Sequence, residues 1–220
     1  MGLDKLDKCV IIIMCVPPRV WRRALGLLRA AGTKVLAAFS LLEPLMRNVA
    51  VYIDGSNLVG NLQKRGWSAF IDLDYLASIL VKNDKLVYLL YTFSSPHPKV
   101  PEDIRLDQQR YHDILRTKPN ISLGEGWRPP PDYEEKAVDV ILAINLVMMA
   151  RNNDYDVAYL ITGDSDLTPA VEMARQIGKE VILIYFWDKN RPKEERRFSF
   201  RLARAANSRM GFRKKWARPI

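Results

Sequence analysis

Residues 49–57 read Val49-Ala50-Val51-Tyr52-Ile53-Asp54-Gly55-Ser56-Asn57. An unbroken apolar run of this kind is the pattern of a strand buried on both faces. It then drives straight into a carboxylate followed by small polar residues. A lone Asp at a strand end can be a turn residue as readily as a site residue. What Asp54 means depends on whether other carboxylates reach the same place.

Working outward, the pattern alternates. Helices are predicted over 58–64 and 72–81, a strand over 86–93, and a helix over 102–116 bracketed by Pro101 and Pro119. A short strand over 121–123 and a loop over 127–131 follow. Then come a helix over 133–151, a strand over 157–162, a helix over 168–177 ended by Gly178, a strand over 180–186 and a last helix over 194–207. Apolar strands alternating with helices imply a doubly wound α/β domain: three layers, with a mostly parallel sheet of about five strands.

In such a sheet the ligand site lies outside the carboxyl ends of the strands, at the topological switch point. The order 3-2-1-4-5 makes strands one and four neighbours. Asp54 then stands beside Asp164 and Asp166 of the Gly163-Asp164-Ser165-Asp166 segment. A third contribution is Asp139. The pair Asp132 and Glu135 resembles a capping box, which would start the helix near 133 and put Asp139 in its second turn. There it sits on the edge of the stripe Val138, Ile141, Leu142, Leu146 and Met149. A right-handed crossover alone does not bring this helix start to the strand ends. Singly, Asp166 reads as a helix N-cap before Thr168-Pro169, and Asp139 as salt-bridged to Lys136. Crowded together, the carboxylates repel unless they share a cation. Oxygen ligands without His or Cys suit Mg²⁺ or Mn²⁺, ions that serve phosphoryl transfer.

The chain has 220 residues, 48% hydrophobic, with a formal net charge of +9. A core of ordinary size follows, and the basic surplus favours a polyanion partner, nucleic acid before a membrane surface. Cys9 and Cys15 build no disulfide framework or CxxC metal site and fit a reducing, cytoplasmic setting. His97 and His112 are too scattered for a His-based metal centre. No apolar run reaches the roughly 18 residues of a membrane span, so no stable membrane association is expected. Residues 1–45 differ in character from the rest and read either as an extension or as a stretch upstream of a start at Met46. The domain is expected over 46–207 and a basic tail over 208–220. That end carries Lys189, Arg191, Lys193, Arg196, Arg197, Arg201, Arg204, Arg209, Arg213, Lys214, Lys215 and Arg218, interleaved with Phe198, Phe200, Phe212 and Trp216. These could bind phosphates and stack bases, or form a solvated face with some rings in the core.

Three segments, Val51-Tyr52-Ile53-Asp54-Gly55-Ser56-Asn57, Lys136-Ala137-Val138-Asp139-Val140 and Ile161-Thr162-Gly163-Asp164-Ser165-Asp166, resemble the NYN domain of the LabA/DUF88 group, within the PIN-like nucleases. The likeness covers roughly residues 47–207. It implies a divalent-metal ribonuclease with Asp54, Asp139, Asp164 and Asp166 as catalytic and metal-holding residues, and it places the start of the Asp139 helix beside the strand ends. It also implies RNA as substrate, most readily single-stranded. Ser56, Asn57 and Ser165 would line the substrate pocket, Thr162 would support it, and Lys136 would contact a phosphate. A homo-oligomer is compatible with the sequence. The family often has Gly at the position of Ala137, and Asp at the positions of Asn145 and Asn207.

Two other classes fit less well. A haloacid-dehalogenase-type phosphatase needs a second Asp at position 56, where Ser stands, and a wider late acidic pair. A dinucleotide-binding enzyme needs a Gly-rich turn that Gly55 to Gly60 does not supply. A binding module that keeps the acidic pocket without turnover is the rival reading.

Overall fold

The computed structural model describes residues 46–186 and 199–220. The expectations for residues 1–45, and for the cationic positions 189–197 and Phe198, lie outside the described residues. Residues 46–220 form one compact unit.

The strand that opens the domain is β1 (Asn48–Asp54), buried throughout beyond Asn48. Its side chains alternate between two faces, as the period of a strand requires. Val49, Val51 and Ile53 enter one core, and Ala50 and Tyr52 the other. The first core is covered by α1 (Gly55–Gln63), α2 (Leu73–Val81) and α3 (Glu102–Arg116), through Leu58, Leu62, Leu76, Tyr111 and Leu115. The second is covered by α4 (Val138–Arg151), α5 (Thr168–Gln176) and α6 (Phe200–Ala205), through Leu142, Leu146, Val171 and Leu202. The remaining strands are β2 (Lys85–Ser94), β3 (Ser122–Gly126), β4 (Val157–Ile161), β5 (Glu180–Tyr185) and β6 (Ser208–Gly211). All pairings are parallel, in the order β3-β2-β1-β4-β5-β6. The three layers and the neighbourhood of strands one and four are as expected from the sequence.

The sheet has six strands rather than about five. The last, Ser208-Arg209-Met210-Gly211, has no apolar run and is written by its pairing with β5 alone. Residues 208–220, expected as a basic tail, are therefore folded in. Phe212 and Trp216 are buried in the first core. Arg218 lies over the Tyr75 ring, and its carbonyl accepts from Asp72 N–H at 2.8 Å. Two of the aromatic rings read as base-stacking candidates are thus core residues.

The second correction concerns α4, which begins at Val138 and not near 133. Trp127 and Lys136 exchange two backbone hydrogen bonds of 3.2 and 2.9 Å, which holds 127–136 as a closed loop. Ala137 then takes φ 71°, a left-handed turn into the helix. Asp139 consequently sits in the first turn. A side chain at such a φ costs about 1 kcal/mol that glycine does not. Ala137→Gly is therefore expected to raise the unfolding free energy by roughly 0.5–1 kcal/mol, offset in part by the greater entropy of the unfolded chain. Urea denaturation measures this; a loss of stability would mean that the turn is not strained.

Candidate active site

The carboxyl edge of the sheet gathers the acidic residues. Asp54 ends β1 and caps α1: its Oδ1 accepts from Asn57 N–H at 2.9 Å. Its Oδ2 accepts from the Thr162 hydroxyl, also at 2.9 Å. Thr162 follows β4, whose Ile161 is in register with Ile53, so the strand pairing itself delivers this contact. The Thr162 hydroxyl also accepts from Asp164 N–H at 3.1 Å, tying the two strand ends together. Asp164 in turn accepts from Asp166 N–H at 2.8 Å, capping the short 3-10 turn Ser165–Leu167. Asp164, rather than Asp166, is thus the capping residue, and Asp166 is left exposed.

Asp139 reaches the same place from α4. In a βαβ unit the helix runs antiparallel to the strands, so a helix that follows a strand starts at the carboxyl edge. The topology alone therefore closes the distance that the sequence reading left to the family resemblance. The effect on protonation is consistent with this crowding. Burial, helped by the charges of Asp139 and Glu135, pushes the Asp54 carboxyl up to about 6, against the pull of its two hydrogen bonds. Asp139 is raised by burial and by Asp164, Glu135 and Asp166. Asp54 itself is only 5% exposed.

Glu135 belongs to this centre, and the sequence reading missed it by assigning it to a capping box. Its Oε2 accepts from the Ser56 hydroxyl at 2.7 Å, from the Ser94 hydroxyl, and from Arg128 Nη2 at 2.9 Å. Arg128 is itself anchored to the carbonyls of Ser95 (2.9 Å) and Tyr133 (3.1 Å). One side-chain carboxylate thus locks the 127–137 loop against the ends of β1 and β2. In sequence, Glu135 carries no mark that sets it apart from any acidic residue near a helix start.

The expected substrate-side residues divide. Ser56 and Asn57 lie in the first turn of α1 beside Asp54. Asn57 also packs against Gly163, where an added Cβ would come within 3.3 Å of its amide nitrogen. Ser165 is exposed in the 3-10 turn. The Lys136 amine pairs with Glu134 at 2.7 Å. Asn145 accepts from the Tyr88 hydroxyl at 3.2 Å, within α4. Asn207 bonds through its side chain to Val181 N–H, at the amino end of β5. Asn207 therefore stands at the edge of the sheet opposite the acidic residues.

Among the described residues, no three His, Cys, Asp or Glu side chains stand ready to enclose a metal ion. The donor set nevertheless fits a hard cation. It is all oxygen and anionic, and Mg²⁺ is commonly held by one or two carboxylates with water and substrate phosphate rather than by a closed cage.

A six-stranded parallel sheet with a carboxylate cluster at its switch point defines a Rossmann-like domain with a candidate phosphoryl-transfer centre. A family model, the NYN domain, matches residues 48–208, and the chain belongs to that family of PIN-like nuclease domains. A solved structure of a protein of unknown function from Vibrio parahaemolyticus is similar in fold, with 17% identity and a TM-score of 0.56, over 78% of this chain and 96% of that one. No curated protein matches the chain in sequence. Among the described residues no helix is long and apolar enough to cross a membrane.

Proposed function

We propose that the domain is a divalent-metal-dependent endoribonuclease that hydrolyses phosphodiester bonds of single-stranded RNA. The observation that carries this reading is the meeting of Asp54, Asp139 and Asp164 at one strand edge, with Asp54 and Asp139 both raised by burial and by neighbouring negative charge. Family membership supports the nuclease class. Asp54 and Asp164 would hold Mg²⁺ or Mn²⁺ directly, and Asp139 and Asp166 directly or through water. Such an ion, when bound, polarises phosphoryl oxygens and lowers the pKa of water. The protein's own part is positional. Thr162 and Asn57 N–H fix both oxygens of Asp54, so its carboxylate cannot turn away from the crevice. Asp166 N–H orients Asp164. The first turn of α1 would present the exposed Ser56 and the half-buried Asn57 to the substrate.

The alternative is a binding module of the same fold with little or no turnover. The deciding experiment incubates the full chain with end-labelled single-stranded RNA in Mn²⁺, Mg²⁺ or EDTA. Cleavage in metal and none in EDTA is expected. Retention of RNA without cleavage in either metal would favour the binding module.

A further inference from the structure

Next to the acidic edge, on the other side of Gly55 and Ser56, a cleft of about 160 Å³ opens between the ends of β1 and β2 and the helix α3. Its floor is aromatic: Tyr91, Phe93, Tyr111 and His112. The His112 ring lies 3.8 Å from that of Phe93, centre to centre. Its mouth is polar, with Ser95, His97 and Gln108. Ser56, Ser94 and Arg128 line the cleft and also hold Glu135, so cleft and acidic centre share a wall. Beyond that shared wall, the proposed reaction at the Asp cluster uses none of the cleft.

We propose that the cleft is a subsite for one single-ring nucleobase, a pyrimidine, belonging to the nucleotide next to the phosphate held at the acidic edge. The inference rests on the phosphodiester reading of that edge. Size argues for one ring, since a cavity of about 150 Å³ accommodates a guest the size of benzene. The rings of the floor are packed on one another and almost wholly buried, so they meet a base as an apolar surface. The selective element is the mouth. Gln108 offers both a donor and an acceptor to the edge of a base, and the Ser95 hydroxyl and His97 ring add adaptable partners. His112 is kept uncharged at neutral pH, its value lowered to about 4 by burial and by Arg116, so the cation beside the floor is Arg116, over the Phe93 ring at 5.9 Å, and not His112.

The test needs no turnover. The full chain in EDTA is titrated with uridine, cytidine, adenosine and guanosine 5′-monophosphates, and followed by amide NMR shifts. Tighter binding of the two pyrimidine nucleotides by about tenfold, with shifts centred on His97, Gln108 and His112, is expected. Gln108→Trp, which fills the mouth from a half-exposed helix position, should abolish the preference; Val100→Trp does the same from another lining position and guards against one variant misfolding. Equal binding of purines and pyrimidines, or a preference that survives both fillings, overturns the proposal. Asp164→Asn separates the two readings: it leaves the cleft intact, so it should keep the pyrimidine preference while losing cleavage. A preference in a protein that never cleaves RNA would retain the subsite and reject the nuclease.

Discussion

Asp164→Asn is expected to lower metal-dependent RNA cleavage by at least about a hundredfold while leaving the fold unchanged. The expectation follows from what each atom of the residue does. Its backbone N–H bonds to Thr162, and its Oδ1 accepts from Asp166 N–H. Asparagine keeps both, because its amide oxygen can occupy the Oδ1 position. Only the charge goes. Loss of a preorganised electrostatic group at a reacting phosphate costs on the order of 10²–10³ in rate, by analogy with the removal of an oxyanion-stabilising donor. The measurement is the initial rate on labelled single-stranded RNA in Mn²⁺, with thermal melting as the control for folding. Cleavage by the variant at the wild-type rate would mean that Asp164 is only a cap and that the catalytic centre lies elsewhere. Glu135→Gln provides a contrast. It retains an acceptor for Ser56 and Ser94 but weakens the tie to Arg128, so its effect should come through the position of the 127–137 loop.

The strands of the centre were legible because each is a run of apolar residues that ends in a chemically distinct one. Asp54 and Asp164 follow from that pattern and from the switch-point rule. Asp139 was placed at the strand ends only by the family resemblance, because the crossover argument did not bring its helix start there; the capping-box reading of Asp132 and Glu135 also moved that start upstream. The loop that displaces it is made by a long-range backbone pairing of Trp127 with Lys136, which leaves no periodic trace. Glu135 was hidden for the same reason: a carboxylate that ties a loop to two strand ends looks, in sequence, like any acidic residue near a helix start. β6 was missed because an edge strand of four mixed residues owes its conformation to its neighbour. Asn207 and Asn145 looked like losses from the acidic cluster; in the fold both have structural partners away from the carboxyl ends of the strands.

The buried carboxylate makes a second strong expectation, on stability instead of rate. The folded protein holds the Asp54 proton up to about pH 6, whereas an unfolded chain releases it near the ordinary value of 3.8. Between these values the folded state binds more protons than the unfolded one. The contribution of Asp54 to stability is thus fully present below about pH 4 and declines as pH rises through 6. The decline amounts to about 2–3 kcal/mol. Other carboxylates titrate in the same range, so the informative quantity is the difference from Asp54→Asn, which has no charge to bury. Urea denaturation at pH 5 and pH 8 should find the variant gaining on the wild type as pH rises. If Asp54 holds a divalent cation, Mn²⁺ should recover that loss in the wild type at pH 8, by about 2.7 kcal/mol at a hundred times its dissociation constant, and have little effect on the variant. At pH 5, where the proton occupies Asp54, Mn²⁺ should stabilise the wild type far less. Equal stabilisation of both proteins by Mn²⁺ would remove Asp54 from the metal site, whatever the cleavage assay shows. A parallel pH dependence of the two proteins without metal would show instead that the carboxylate is not held in a disfavoured charged state. In that case the crowding at this strand edge would no longer argue for a shared cation.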